Sequence, residues 1–318
     1  MFKKAILSNT MLKKPLLLSL LLTLINTTVS AQSTQPPTQC GTTGTWLQVL
    51  GSGGPELDDN RASSSYLIWH KGQAKFLVDM GTGSMFNFEK SGAKIADLDA
   101  IMLSHMHVDH SNDLPPLIKA SFFTDRTNDL LLFGPSGNDL MPAVTQYTQN
   151  LLGEKGAYRY LSDYLTEGGD YRLIPKDIDV NNLTEHVAFT NNSYTLTAIP
   201  VHHGPLPALA WKININGKSI AFSGDMSNKN NTLATLAKKA DILVAHNAVP
   251  EPARGIARNL HMPPSVIGEI AAKAKVKSLV ISHRMNRTLG KEENTTANIR
   301  KHYQGPISFA EDLQCFKL

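Results

Sequence analysis

Three histidines and an aspartate crowd into Ser104-His105-Met106-His107-Val108-Asp109-His110, after an apolar run at Ala100 to Leu103 and before a helical pattern. Side chains two apart on an extended chain point the same way, so His105 and His107 can grip one metal ion. The turn behind them then aims Asp109 and His110 at a neighbouring position. Four ligands within six residues therefore predict two adjacent metal sites at a strand end. Two divalent ions side by side lower the pKa of a shared water and supply a nucleophile near neutral pH. Serine hydrolase chemistry is not spelled out. Neither Gly51-Ser52-Gly53 nor Gly81-Thr82-Gly83 forms the Gly-x-Ser-x-Gly elbow, and no dinucleotide fingerprint occurs.

The elements around this stretch must hold it rigidly. Short β-rich runs at Trp46 to Leu50, Ser65 to Trp69 and Lys75 to Val78 are bounded by Gly, Asp and Asn turn signals. Strands are expected next at Ala100 to Leu103 and Leu130 to Phe133, with helices at Leu114 to Phe123 and Asn138 to Leu152. The second half repeats the scheme. Its strands are expected at Tyr194 to Ile199, Leu209 to Ile215, Ser219 to Phe222, Ile242 to Ala245, Ser278 to Ile281 and Ile307 to Ala310. Its helices are expected at Leu233 to Ala240, Pro264 to Ala274 and Glu292 to Tyr303. Two strand-rich halves with helices outside make a layered α/β body. The segment 153–192, with four tyrosines and mixed charge, is expected as a substrate-shaping lid.

With its His-x-His-x-Asp-His motif, the chain resembles the metallo-β-lactamase superfamily from Thr45 to about Leu313. The resemblance implies an α/β fold, a four-layer αββα sandwich with a dinuclear metal site at one sheet edge. It also implies a His after a later strand, an Asp after the next hairpin and a His at a late strand end. Val201-His202-His203-Gly204-Pro205, Ser223-Gly224-Asp225 and Ile281-Ser282-His283 supply these in order. Carried over, His105, His107 and His203 hold the first ion, Asp109, His110 and His283 the second, and Asp225 bridges both. Either His202 or His203 could be the ligand, because neighbours on a strand face opposite ways. The Gly-Pro-Leu-Pro-Ala after His203 favours His203, leaving His202 as an outer or rim residue.

Aspartate at 225, where true β-lactamases commonly carry Cys or Ser, points to the phosphodiesterases, ribonuclease Z, arylsulfatases and lactonases of this fold. Leu50-Gly51-Ser52-Gly53-Gly54-Pro55 and Phe133-Gly134-Pro135-Ser136-Gly137 point to the ribonuclease Z and arylsulfatase-like branch. Mixed His and Asp ligands suit two Zn²⁺ ions, with Mn²⁺ or Fe²⁺ as alternatives. Asp109 and His261 are the implied catalytic residues, His261 as an active-site acid or oxyanion contact, against a bland reading of it as an inert helix-capping His. His261-Met262-Pro263 departs from the His-x-Thr spelling of ribonuclease Z. His246, at a strand end, is expected at the substrate rim. The function expected is metal-dependent hydrolysis of small anionic esters, phosphodiester or aryl sulfate ahead of lactones. Processing of tRNA 3′ ends and a non-catalytic metal-binding role are the alternatives.

Lys13 and Lys14 precede the apolar run Leu16 to Ile25, and Val29-Ser30-Ala31 offers a small-x-small cleavage site. Residues 1–31 thus read as a signal peptide, 32–44 as a flexible linker and 45–318 as one hydrolase domain. The product is expected in the periplasm or secreted, with no membrane attachment after cleavage. Export allows Cys40 and Cys315 to form a disulfide. Four of the 31 basic residues fall in the leader, leaving 27 basic against 27 acidic in the body. That balance lacks the cationic clusters of a polybasic nucleic-acid binder. The partner expected is therefore a small anionic ester, with no nucleic acid; a homodimer is left open.

Overall fold

Tyr66 and Ile68 leave their strand on one side, Leu67 and Trp69 on the other, and all four are buried. A strand covered on both faces must lie inside the molecule with a layer on each side. The computed structural model describes residues 39–318, which form two seven-stranded sheets. The first contains β1 (Thr45–Gly51), β2 (Ser65–His70), β3 (Gln73–Val78), β4 (Ala100–Met102), β5 (Leu130–Pro135) and β6 (Leu173–Ile178) in spatial order, with β14 (Cys315–Lys317) outside β1. The second contains β7 (His186–Thr190), β8 (Tyr194–His203), β9 (Leu206–Ile215), β10 (Lys218–Phe222), β11 (Ile242–His246), β12 (Ser278–Ser282) and β13 (Ile307–Phe309), again in order.

Residues of both sheets, among them Ile68, Phe76, Met102, Trp211, Phe222 and Val244, pack into one inner layer. The outer face of the first sheet is covered by α1 (Ser84–Lys90), α3 (Leu114–Ser121) and α4 (Val144–Leu152) through Phe88, Leu117 and Val144. That of the second is covered by α5 (Leu233–Leu236), α7 (Pro264–Ala274) and α8 (Glu292–Ile299) through Leu236, Ile270 and Ile299. The architecture is the αββα sandwich. β3 to β6 run parallel in one sheet and β10 to β13 in the other. The loops after parallel strands gather at their carboxyl ends, where ligands bind in α/β proteins. Here α2 (Val108–Ser111) follows β4 and α6 (Gly255–Leu260) follows β11.

Several expectations need correction. The segment 153–192 is no lid: it supplies edge strands of both sheets, β6 pairing with β5 and β7 with β8. Tyr164 and Tyr171 are buried, their rings 5.0 Å apart. The helix expected from Asn138 starts at Val144, because Asn138 Oδ1 instead accepts the N–H groups of Leu140 and Met141 in a turn ahead of Pro142. The expected signal peptide and the expected linker as far as residue 38 lie outside the described residues. Residues 39–44 are bound to the body rather than flexible: Cys40 is buried, Gln39 donates to Gly72 O, and Lys71 N–H donates to Gly44 O. Cys40 and Cys315 form a disulfide, Cα to Cα 5.8 Å.

Candidate metal centre

The chain leaves β4 through Leu103 and Ser104, and both residues are tied to the opposite sheet. Trp211 Nε1 donates to Leu103 O at 3.0 Å, and Leu209 N–H donates to Ser104 O at 2.9 Å. His105 follows, fully buried; His107 precedes α2 and is half-buried; Asp109 and His110 lie within α2. β8 ends in His203, and the hairpin of β9 and β10 leads to Asp225. Gly224 before it has φ +56°, and a Cβ there would meet Leu209 O at 2.9 Å, so the approach to Asp225 requires glycine. β12 delivers His283, which holds φ 51° and packs on Gly54, where an added Cβ would lie 2.9 Å from His283 Cε1.

Two groups of side chains converge, His105, His107, His203 and Asp225 in one, His110, His246, His283 and Asp225 in the other. Asp225 Oδ2 lies between them, 3.4 Å from His283 Nε2, 3.6 Å from His110 Nε2, 3.8 Å from His261 Nδ1 and 4.0 Å from His203 Nε2. Asp109 Oδ2 joins the second group, 3.2 Å from His283 Nε2 and 3.5 Å from His110 Nε2. In the first, His105 Nε2 and His107 Nδ1 meet at 2.9 Å.

The structure brings His203, not His202, into the cluster. The His202 ring is half-buried and bonds Ser227 Oγ at 2.8 Å. His246 departs from its expected place at the rim. It is buried beneath the centre, its Nδ1 donating to Asp225 Oδ1 at 2.9 Å and its Nε2 2.9 Å from the Tyr66 hydroxyl, so both ring nitrogens are engaged. His261, just after α6, is buried beside Asp225.

Sequence reasoning missed Asp79. At the end of β3, with φ 59°, this buried carboxylate accepts from His110 Nδ1 at 2.8 Å, from Ser104 Oγ at 2.8 Å and from Ser104 N at 2.6 Å. His105 Nδ1 is 3.0 Å from Ser104 Oγ, and His203 Nδ1 donates to Leu260 O at 2.9 Å. The Nδ1 atoms of His105, His110 and His203 are thus held by outer partners, which turns each Nε2 inward.

Burial alone would push the Asp225 and Asp109 carboxyls up. The facing imidazoles of His283 and His110 outweigh it and hold both well below the usual carboxylate range. Burial would push His110 and His283 down, but the carboxylates opposite them hold both above the ordinary histidine value. Burial wins at His105, His107, His203 and His246, which are lowered. At His261 burial, with His283 and His203 nearby, takes the value down to about 3.

Ionised carboxylates and neutral imidazoles are the metal-ligating forms, and a divalent cation would balance the buried acids. Buried His110 Nε2 and His203 Nε2 have no hydrogen-bond partner among the described residues. Orphaned buried nitrogens facing carboxylates fit a divalent metal ion.

A family model described as a beta-lactamase superfamily domain matches residues 75–284. Ribonuclease Z of Mycolicibacterium paratuberculosis is 26% identical over 281 residues, spanning 84% of this chain and 96% of that protein. Among solved structures, the metallo-β-lactamase fold protein YhfI from Bacillus subtilis superposes with a TM-score of 0.66 at 21% identity, covering 86% of this chain and 99% of that one. The short form of human tRNase Z superposes with a TM-score of 0.63 at 18% identity, covering 86% and 98%. The expectation of no nucleic-acid partner is overturned by these relatives, since proteins named as ribonucleases match the chain over nearly their whole length.

Proposed function

The chain belongs to the metallo-β-lactamase superfamily, and from that premise we propose that it hydrolyses phosphodiester bonds of RNA in the manner of ribonuclease Z. In this reading His105, His107 and His203 would hold one divalent ion, Asp109, His110 and His283 a second, and Asp225 would serve both. The observation that carries it is the position of Asp225 Oδ2 between imidazoles of both groups, which suits one carboxylate serving two ions. The mixed nitrogen and oxygen donors favour Zn²⁺. The bound ions would supply Lewis-acid charge and an activated water.

The chain's own groups do the rest. The Asp109 and Asp225 carboxylates stay ionised and orient the nitrogens facing them. The His261 ring, buried beside Asp225, offers a hydrogen bond to the departing oxygen. The ribonuclease Z relatives favour phosphodiesters over aryl sulfates and lactones as substrates.

The test is a panel of 3′-extended tRNA, bis(p-nitrophenyl) phosphate, p-nitrophenyl sulfate, a lactone and a β-lactam with Zn²⁺-loaded protein. Cleavage of the phosphodiesters, lost with Asp225→Ala, is expected. Turnover of sulfate or lactone with both phosphodiesters untouched would sink the reading. The Cys40–Cys315 bridge supports a second proposal, that the mature chain works in an oxidising compartment after export. Cell fractionation with sequencing of the mature N-terminus checks it; intact protein confined to the cytosol would refute it.

A further inference from the structure

Tyr66 lies in the apolar layer between the sheets, among Ile68, Phe76, Val78 and Phe222. Its ring is fully buried, with the Phe222 ring 5.4 Å away. A phenylalanine would fill that space without the cost of burying a hydroxyl, which must find a partner when taken out of water. Here the hydroxyl crosses from the first sheet to the carboxyl ends of two strands in the second. It is 2.9 Å from His246 Nε2 and 2.8 Å from Ser282 Oγ. His246 Nδ1 in turn is 2.9 Å from Asp225 Oδ1. A carboxylate only accepts, so Nδ1 carries the proton towards Asp225. The phenol donates to Ser282 Oγ, and its contact with Nε2 holds the far side of the His246 ring.

We propose that Tyr66 is a positioning residue for the metal centre: through His246 it pins Oδ1 of Asp225, so that Oδ2 is the oxygen presented to both groups of ligands. The chain of contacts from Tyr66 to His246 to Asp225 joins the core between the sheets to the one carboxylate common to both groups. With the phenol gone, His246 can turn about its side-chain bonds and Asp225 can rotate with it. The proposal rests on the reading of Asp225 as the bridge between two ions.

The experiment compares wild type, Tyr66→Phe, His246→Asn, the double variant and Asp225→Ala. Each is titrated with Zn²⁺ against a chromogenic chelator and, separately, loaded with Co²⁺ for its visible spectrum. Tyr66→Phe keeps the ring in the core, so its thermal midpoint should stay near wild type. Its Zn²⁺ affinity should fall about 10–100-fold, the range for outer partners of ligands, and its Co²⁺ bands should shift. The double variant should lose no more affinity than His246→Asn alone, because both changes break one chain. Wild-type affinity and spectrum in Tyr66→Phe, or additive losses in the double variant, would overturn the proposal while Asp225→Ala still loses metal. Retention of two ions by Asp225→Ala would instead overturn the bridging reading beneath it. If Tyr66→Phe does not fold, His246→Asn carries the same two readouts, and an unchanged Co²⁺ spectrum there overturns the proposal.

Discussion

Asp79 accepts from His110 at 2.8 Å, and both side chains are buried. The same carboxylate takes the Ser104 hydroxyl, which meets His105 Nδ1, so it orients one imidazole from each group of ligands. Asp79→Asn should lower metal affinity and turnover together by about 10–100-fold, with both ions weakened. Equilibrium dialysis with elemental analysis measures this; weakening of only one ion would limit the role of Asp79 to a single site.

His203 Nε2 faces Asp225 while His202 turns to Ser227. His203→Ala should lose one ion and more than about 100-fold in turnover, beyond what outer-shell changes cost. His202→Ala should keep both ions and lose about 10-fold or less. Two ions retained by His203→Ala, with metal lost from His202→Ala, would reverse the assignment.

His261 is held at about 3 when folded, against an ordinary 6.5 when unfolded. Between those values the unfolded chain binds a proton that the folded chain refuses. Stability therefore falls as pH drops from about 6.5 towards 3, by at most about 1.4 kcal/mol per pH unit from this group. In chelator-stripped protein, His261→Gln should flatten the dependence of the thermal midpoint on pH over that window. An unchanged slope would mean that His261 is not buried as a neutral ring.

The Cys40–Cys315 bridge closes a span of 275 residues. In the chain-entropy account such a loop contributes at most roughly 5–6 kcal/mol. Cys40→Ser should lower the urea midpoint accordingly, as should reduction of the wild type. Two thiols alkylated in denatured, unreduced protein would show that the bridge does not form.

The cluster from His105 to His110 was legible because four ligands sit side by side in the chain and local geometry alone turns them together. Asp79 and Tyr66 were not, since their partners lie 31 and 180 residues away and only packing of the sheets unites them. His246 ends a strand, and nothing local tells whether such a residue turns outward or beneath the site. The central strands were readable from runs such as Tyr66 to Trp69. The edge strands β6 and β7 were not, because Lys176, Asp177 and Val187 on them are exposed and blur the apolar alternation that marks a strand.

Pairing of β14 with β1, together with the disulfide, brings the two ends of the body onto one sheet edge. Residues 39–318 are thus nearly a closed ring, and the sandwich has no structural need to start where it does. Joining those ends by a short linker and reopening the chain in the exposed turn 191–193, between β7 and β8, gives a circular permutant. In it the strand leading to His203 becomes the first element, and the cluster from His105 to His110 comes after Asp225 and His283. Because the ligands are held by strand ends and not by the order of those strands in the chain, the permuted protein should assemble the same centre.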